Sequence, residues 1–158
     1  MKRLFLSFVV LITLCPALKA RDLWVGGMAG ISYANEDFSM ALAPQIGVEL
    51  NEKWAVAASL GYQYVNEDSF GYTMVFLRYN LWNKNDFYID GKLQNEVLFG
   101  EFTQDNLGVL PSLRYRFSKR WEASADIGFL GVSFVEGESY AAIAAKNTNL
   151  HLNICYHF

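Results

Sequence analysis

The sequence lacks any long apolar run beyond its first twenty residues. A helix that crosses a bilayer needs about 20 consecutive apolar residues, and no such stretch follows the N-terminal segment. Yet 53% of the 158 residues are hydrophobic and 16% are aromatic, which is a rich composition for a soluble domain. The chain therefore offers no transmembrane helix, and a sheet with one face toward lipid would account for the apolar excess.

Cysteine and basic residues are also scarce. Of the two cysteines only Cys155 lies outside the first twenty residues, which we expect to be removed, so no intramolecular disulfide is expected. Basic residues number 13 against 16 acidic ones, and loss of Lys2, Arg3 and Lys19 with the leader lowers the net charge from −3 to −6. An acidic chain argues against nucleic acid as a partner.

The N-terminal segment has the features of a secretory signal peptide. Met1-Lys2-Arg3 is positively charged, the following stretch is mostly apolar, and small residues come next at Ala17 and Ala20. The apolar part is too short to span a bilayer as a helix. We expect cleavage after Ala20, with Ala17 as the alternative, so that residues 1–20 are a signal peptide and residues 21–158 form one exported domain.

Alternation of apolar and polar residues recurs through the rest of the chain. Because a strand points successive side chains to opposite faces, this period of two predicts strands that are apolar on one side. Short polar connections such as Asn51-Glu52-Lys53 alternate with longer ones such as residues 135–146. We predict eight strands, near residues 22–34, 38–50, 54–65, 70–82, 87–99, 106–117, 121–134 and 147–158.

The last nine residues show the alternation most clearly. Counted back from Phe158, every second residue is apolar or aromatic, and Asn153, Cys155 and His157 fall between them. This length suits a tilted strand that crosses a bilayer, for which about 9 to 11 residues are needed. The segment is therefore predicted to be the closing strand of a barrel.

These features resemble the small eight-stranded outer-membrane β-barrel family of the OmpA transmembrane-domain and OmpX type. The resemblance is carried by the signal peptide, the strand ends that begin at Pro44 and Pro111, the alternating turn lengths and the terminal Phe158. It implies an all-β fold, an eight-stranded antiparallel up-and-down transmembrane β-barrel in the bacterial cell outer membrane. It also implies that Tyr156 and Phe158 are read by the barrel-assembly machinery, and that outer-membrane lipids and lipopolysaccharide surround the chain.

The period of two also assigns the outward face of each strand. On the seventh strand Trp121, Ile127 and Phe129 are predicted to face lipid. Pro44 and Pro111 each remove a donor from the hydrogen-bond ladder, so we expect a bulge at both. The predicted aromatic girdle on the periplasmic side consists of Trp54, Phe87, Trp121, Tyr156 and Phe158.

Most charged strand residues fall on the inward face. Buried charges are tolerated only when paired, so we expect a salt-bridge network that blocks a narrow lumen. Nearer the long connections the predicted inward residues are apolar, namely Tyr72, Met74, Phe76, Leu98, Leu110, Leu130 and Val132. The predicted lumen charge network comprises Glu49, Arg78, Asp90, Lys92, Glu96, Arg114, Arg116, Glu122 and Asp126.

The longer connections are acidic, whereas the short turns carry most of the exposed basic residues. Hairpin tips must be solvated, and that alone accounts for charge there. The functional interpretation is a surface that gathers divalent cations shared with lipopolysaccharide phosphates, or that attracts a basic partner of unknown identity. The predicted acidic loops contain Glu36, Asp37, Glu67, Asp68, Glu101, Asp105, Glu136 and Glu138.

The inward-facing polar residues of the last strand raise the question of a reactive site. At about 3.3 Å per residue, His151 and Cys155 lie roughly 13 Å apart, too far for common metal ligation. Lipid deacylases that resemble this fold use a His-x-Ser arrangement on a strand, and here Asn153 takes the place of the serine. We expect no catalytic residue, metal site or cofactor.

The favoured function is a non-enzymatic integral outer-membrane protein, a rigid scaffold that displays acidic loops around a charge-plugged lumen. One alternative is a narrow porin-like channel that opens when the network of Arg114 and Arg116 with Glu122 and Asp126 rearranges. A second is a lipid-binding or lipid-modifying barrel that uses an apolar upper lumen. A third is a soluble lipocalin-like carrier, which should point its apolar residues inward.

Overall fold

The structure is a computed structural model, and it describes residues 22–34, 37–65, 68–100, 103–135 and 141–158. Within these ranges, no helix has the length and apolarity needed to cross a membrane. The predicted signal peptide and its cleavage site lie outside the described residues. The strands are β1 (Asp22–Ala34), β2 (Asp37–Glu49), β3 (Trp54–Val65), β4 (Asp68–Lys84), β5 (Phe87–Phe99), β6 (Thr103–Arg116), β7 (Trp121–Val135) and β8 (Ala141–His157).

The eight strands form a closed antiparallel barrel in which each strand pairs with its neighbours in sequence. The barrel closes where β1 pairs with β8, from Trp24 opposite His157 to Ile31 opposite Leu150. The amide of Phe158 extends this seam by donating to the carbonyl of Leu23 at 3.0 Å. Closure pairs the two outer strands of the sheet along this seam, as a β-structure surrounded by lipid requires. The predicted fold class is confirmed.

Three strands extend beyond their predicted ends. β4 was expected over residues 70–82 but begins at Asp68 and ends at Lys84, while β6 begins at Thr103. β8 begins at Ala141 and not near residue 147. In each case the backbone ladder continues through residues whose side chains no longer alternate between apolar and polar. These strand ends are stabilised by pairing with a neighbouring strand, and the local sequence pattern does not indicate that pairing.

The side chains sort into an apolar outer surface and a mixed interior. On the outer face of β3, Leu60 is 65% exposed and Tyr62 is 74% exposed. Ala55 and Ala57, which lie on the opposite face of the same strand, are buried. Large apolar residues are exposed on every strand, which is the arrangement that a barrel surrounded by lipid shows. A soluble carrier with its apolar face inward is inconsistent with this distribution.

A bulge in β7 reverses the predicted faces of the residues beyond it. The β6–β7 register shifts by one residue between Val109 and Ser112, and Gly128 adopts a φ of 74°, which favours glycine. As a result Phe129 turns inward and is 9% exposed, while Leu130 is 56% exposed on the outside. The predictions that Phe129 faces lipid and that Leu130 lies in the lumen were wrong.

Val132 moves to the outside with Leu130. It pairs with Leu107, which is exposed on the lipid-facing side of β6. Phe129 takes the inward position and packs over Gly108 and Gly131, where added Cβ atoms would lie 2.5 and 2.8 Å from its Cζ. The prediction that Val132 lines the lumen was therefore wrong as well, because the period of two restarts after the bulge.

The two strand prolines are accommodated differently. Pro111 lies within the register shift of the β6–β7 ladder, as predicted. The prediction of a bulge at Pro44 was wrong, because β2 skips pairing with β3 at Ala43 and Pro44 without changing register. A further irregularity lies in β4, whose register to β5 shifts between Asn80 and Trp82.

Gly47 allows the buried indole of Trp24 to lie flat against β2. A Cβ at position 47 would lie 2.2 Å from Trp24 Cζ2, and Trp24 is 1% exposed. We expect Gly47→Ala to displace the indole and lower the unfolding free energy by about 1–3 kcal/mol, as overpacking of a core does. The measurement is urea unfolding of the barrel refolded in lipid vesicles. Gly27→Ala is the matched control, since a Cβ at that position meets nothing within 4 Å.

Candidate functional site

Charged and polar side chains from six strands meet inside the barrel, at the end where the short turns lie. Each is at an inward position that alternates with lipid-facing residues along its strand. We call this set the lumen charge cluster. Its members are Glu49 of β2, Arg78 of β4, Asp90 and Lys92 of β5, Arg114 and Arg116 of β6, Glu122 and Asp126 of β7, and Asn153 and His157 of β8.

Glu122 is the centre of the lumen charge cluster. Its Oε1 accepts a hydrogen bond from Arg78 Nη1 at 3.2 Å, and its Oε2 accepts from Arg114 Nη1 at 2.9 Å and from Arg116 Nη2 at 3.3 Å. The Nε2 of His157 lies 3.3 Å from the same Oε2. One carboxylate, with 2% of its side chain exposed, thus contacts three guanidinium groups.

Asp90 and Glu49 supply the remaining negative charge for the arginines. Asp90 accepts from Arg114 Nε at 2.7 Å and Nη2 at 3.3 Å, and Arg78 Nε lies 4.0 Å away from it. Arg78 also donates to Glu49. The guanidinium of Arg114 lies 4.1 Å from the ring centre of Tyr88, a cation–π contact that the sequence did not indicate. Each arginine is therefore held from more than one side.

A second ion pair lies in the lumen beside the contacts of Glu122, farther from the short turns. Lys92 Nζ is 2.7 Å from Asp126 Oδ1, and both side chains are 4% exposed. Asp126 Oδ2 also accepts from Asn153 at 3.1 Å, and Asn153 in turn accepts from Gln45 at 3.1 Å. The ammonium of Lys92 lies 4.7 Å from the ring centre of Phe76, where the charged region meets the apolar one. This chain of contacts crosses the lumen from β5 to β2.

The structure brings eight of the nine residues of the predicted network into ion pairs. Glu96 is the ninth, and it accepts a hydrogen bond from Asn106 at 3.2 Å, away from the cations. Glu122 pairs with both Arg114 and Arg116, whereas Asp126 pairs with Lys92. Partner choice depends on the stagger between strands, which the sequence pattern does not specify.

The part of the lumen nearer the long connections is filled by apolar side chains on one side and small polar ones on the other. Tyr72, Met74 and Phe76 are each 2% exposed or less, and the Tyr72 hydroxyl lies 3.9 Å from the sulfur of Met28. Leu98 and Leu110 are buried as predicted. The polar side, which the sequence did not indicate, consists of Gln104, Asn106 and Ser133 joined by hydrogen bonds.

One group of residues in the described chain has the composition of a metal site. Ligand atoms of Glu49, Glu122 and His157 lie within 4.8 Å of one another. However, Arg78 donates to both carboxylates, so its guanidinium already occupies the space between them. A metal cation would have to displace this group and would be repelled by its charge. The donor set therefore fits an arginine and does not fit a metal ion.

Aromatic pairs surround the outside of the barrel at the short-turn end. The predicted girdle residues each contact a neighbouring aromatic ring, and a basic side chain accompanies two of the pairs. Arg120 donates to the Tyr156 hydroxyl at 2.8 Å, and Lys53 Nζ lies 6.0 Å from the Tyr79 ring centre. The ring pairs are Trp54 with Tyr79 at 4.5 Å, Phe87 with Tyr115 at 4.5 Å, Trp121 with Tyr156 at 5.1 Å and Tyr156 with Phe158 at 5.4 Å.

The predicted acidic loops are only partly within the described chain. Asp68 is exposed at the start of β4, and Asp37 is the first residue of β2. Asp105 was predicted to lie in a loop but belongs to β6, where it accepts from Asn95 at 2.5 Å, so that prediction was wrong. The remaining predicted loop acids, Glu36, Glu67, Glu101, Glu136 and Glu138, lie outside the described residues.

Among the solved structures that match this chain are two barrels of the same architecture. The N-terminal β-barrel domain of Pseudomonas aeruginosa OprF matches with a TM-score of 0.61 at 13% identity, covering 88% of this chain and 98% of that one. Neisserial surface protein A (NspA) matches with a TM-score of 0.52 at 9% identity, covering 87% and 96% of the two chains. No protein-family model and no curated protein matches the sequence.

The fold is that of the small eight-stranded outer-membrane barrels, as the sequence features indicated. At these identities the likeness extends to the fold alone, because one barrel architecture supports many unrelated functions. What this barrel does has to be inferred from its own lumen, outer surface and ends.

Proposed function

We propose that this chain is a non-enzymatic integral protein of the bacterial outer membrane, a lipid-embedded scaffold that presents an acidic surface at its long connections. The observation that carries the proposal is the lumen charge cluster. Its four cations and four carboxylates form ion pairs with one another across the barrel. A lumen filled in this way leaves the outer surface and the two ends as the surfaces available for contact.

The charges of the two ends support the display role. Acidic residues dominate the long connections in the sequence, whereas Lys53, Lys84, Lys119 and Arg120 lie at the short turns. Acidic tips above a membrane gather divalent cations, and such cations also bind lipopolysaccharide phosphates. A basic partner is the other ligand class that this surface would attract.

The polar residues of β8 support a structural role and not a catalytic one. Cys155 is buried in the apolar cluster with Trp24 and Met28. His157 lies against Glu122, and Asn153 bridges Gln45 and Asp126. Each group is used to hold the lumen together, which is the role that we propose for it.

A narrow gated channel is the second candidate. It is favoured because Glu122 is shared by three arginines. A shared carboxylate can exchange one arginine for another without becoming unpaired. In this alternative the lumen charge cluster is a gate, and in the first proposal it is a permanent seal. The two differ in whether the native protein conducts ions.

We expect the native barrel to be electrically silent in a planar bilayer and the double variant Arg114→Ser, Arg116→Ser to conduct. Removal of the two guanidinium groups leaves Asp90 and Glu122 undercompensated and opens space for water. The matched control is Lys119→Ser, Arg120→Ser, which removes the same charge from an exposed turn and should stay silent. Reproducible openings of the native protein would instead favour the gated channel.

The display role predicts that the loop acids act through cations. Replacement of the seven predicted loop acids other than Asp105 by their amides should reduce cation-dependent outer-membrane integrity, measured as uptake of an apolar dye at limiting Mg²⁺ in a Gram-negative host. Amide replacement of Glu52 and Asp86, at the opposite end, is the control and should change nothing. Unchanged dye uptake and unchanged surface binding in the seven-residue variant would contradict the display role.

We propose that Phe158 contributes to assembly of the barrel in cells more than to the stability of the folded barrel. Phe158 is 68% exposed and its ring contacts Tyr156 edge-on at 5.4 Å, so its removal costs little packing. We expect Phe158→Ala to reduce the yield of assembled barrel in cells while refolding in vesicles stays normal. Phe117→Ala, an exposed aromatic at the same end of the barrel, is the control. Normal cellular yield of the Phe158 variant would count against recognition by the assembly machinery.

A further inference from the structure

A groove runs across the outer surface of β5 to β8 at the short-turn end of the barrel. It has a volume of about 570 Å³. Its lining is mostly apolar, and at one end Lys84, the last residue of β4, and Asn85 of the following turn contribute polar groups. The apolar side chains that line it are Trp82, Phe87, Ile89, Leu113, Tyr115, Ala123, Ala125 and Leu152.

The depth of the groove comes from two small residues set between large ones. Ala125 of β7 lies opposite Leu113 of β6 on one side and Leu152 of β8 on the other. Ala123 lies opposite Tyr115 in the same way. Because neighbouring strands are only about 4.8 Å apart, a row of short side chains between rows of long ones leaves a channel along β7.

The bulge in β4 completes the far wall. The register between β4 and β5 shifts after Asn80, so that Leu81 and Trp82 are both exposed on the outer surface. Without this extra residue the two side chains would alternate between the faces of the sheet. The bulge thus exposes Trp82 two residues before Lys84, so that the apolar groove ends beside the charge of Lys84.

Lys84 is available to a ligand. It is exposed, and among the described residues it has neither an ion-pair partner nor a side-chain hydrogen bond. The only other charged residue of the lining is Arg114, whose guanidinium is directed into the lumen, and the lining contains no carboxylate. The groove is therefore mostly apolar along its length. At its turn end the lining contributes the charge of Lys84, and Asp86 is exposed two residues farther along the chain.

We propose that this groove is a binding site for one glycerophospholipid of the membrane leaflet on the short-turn side. One acyl chain lies over Ala123 and Ala125, and the phosphate lies beside Lys84. A chain in a lipid-facing groove replaces mobile lipid contacts by fixed ones, and a lysine near the membrane surface attracts an anionic headgroup. The inference rests on the proposal that the barrel spans a membrane.

A second copy of this chain is the competing occupant, and the charge of the groove disfavours it. A two-fold dimer places the same patch of each subunit against the other. Two grooves facing each other would bury two Lys84 side chains in one interface, with no carboxylate in either lining. A phosphate supplies the missing negative charge, so charge complementarity selects the lipid.

The first experiment is native mass spectrometry of the refolded barrel with added phosphatidylglycerol. We expect one tightly bound lipid, which Ala125→Phe removes by filling the groove, and which Lys84→Gln weakens about five-fold. The matched controls are Ala58→Phe, on the outer face of β3, and Lys53→Gln, in another short turn. Both controls should bind phosphatidylglycerol as the native protein does.

Two results would overturn the proposal. The first is equal binding by the Ala125 and Ala58 variants. The second is a dimer that Ala125→Phe dissociates in the absence of lipid, which would assign the groove to a second copy. Folding of each variant is checked by far-ultraviolet circular dichroism, and Ala123→Leu replaces Ala125→Phe if the phenylalanine prevents folding.

A second measurement uses the unmodified protein and separates this inference from the proposed function. The barrel is refolded into vesicles that contain phosphatidylglycerol with a photoreactive diazirine on its acyl chain. Adducts should concentrate on the peptides that contain Leu113, Ala125 and Leu152. If the barrel inserts but the adducts are spread evenly around it, only the lipid-site proposal is overturned. If the barrel fails to insert into the vesicles, both proposals are overturned.

Discussion

The burial of charge inside a narrow barrel is the constraint on which the rest of this structure depends. Glu122 has almost no contact with solvent, and it is acceptable there only because Arg78, Arg114 and Arg116 reach it from β4 and β6. Loss of one partner from such a group leaves an uncompensated charge, which is more costly than the pair is favourable. The stagger of β4, β6 and β7 is therefore tied to the positions of these few atoms.

The same constraint determines where charged side chains lie along the length of the lumen. Asp90 and Glu49 complete the compensation of the arginines, and the Lys92–Asp126 pair forms the next step along the strands. Beyond Phe76, the buried side chains of Tyr72, Met74 and Leu98 pack together as in an ordinary core. Charge is thus concentrated at the end near the short turns, where a seal or a gate would act.

The outer surface depends on irregularities of the sheet. A bulge in β4 exposes both Leu81 and Trp82, and a bulge at Gly128 turns Phe129 inward. The first of these forms a wall of the groove that ends at Lys84, and the second fills the space over Gly108 and Gly131. Bulges therefore shape both the lipid-facing side and the interior, without changing the number of strands or their order.

The sequence by itself determined the class of protein and most of the faces. A period of two is a local property of an extended chain, so it could be read directly for β3 and for the last nine residues, and it placed Arg78, Asp90 and Glu122 inside. It could not predict Phe129, Leu130 or Val132, because the bulge before them depends on pairing with β6. Only the tertiary structure decided that Asp126 pairs with Lys92, that Tyr88 lies beside Arg114 and that Ala125 lies between Leu113 and Leu152. The physical reason is that partners on different strands are set by stagger and closure, which are properties of the whole barrel.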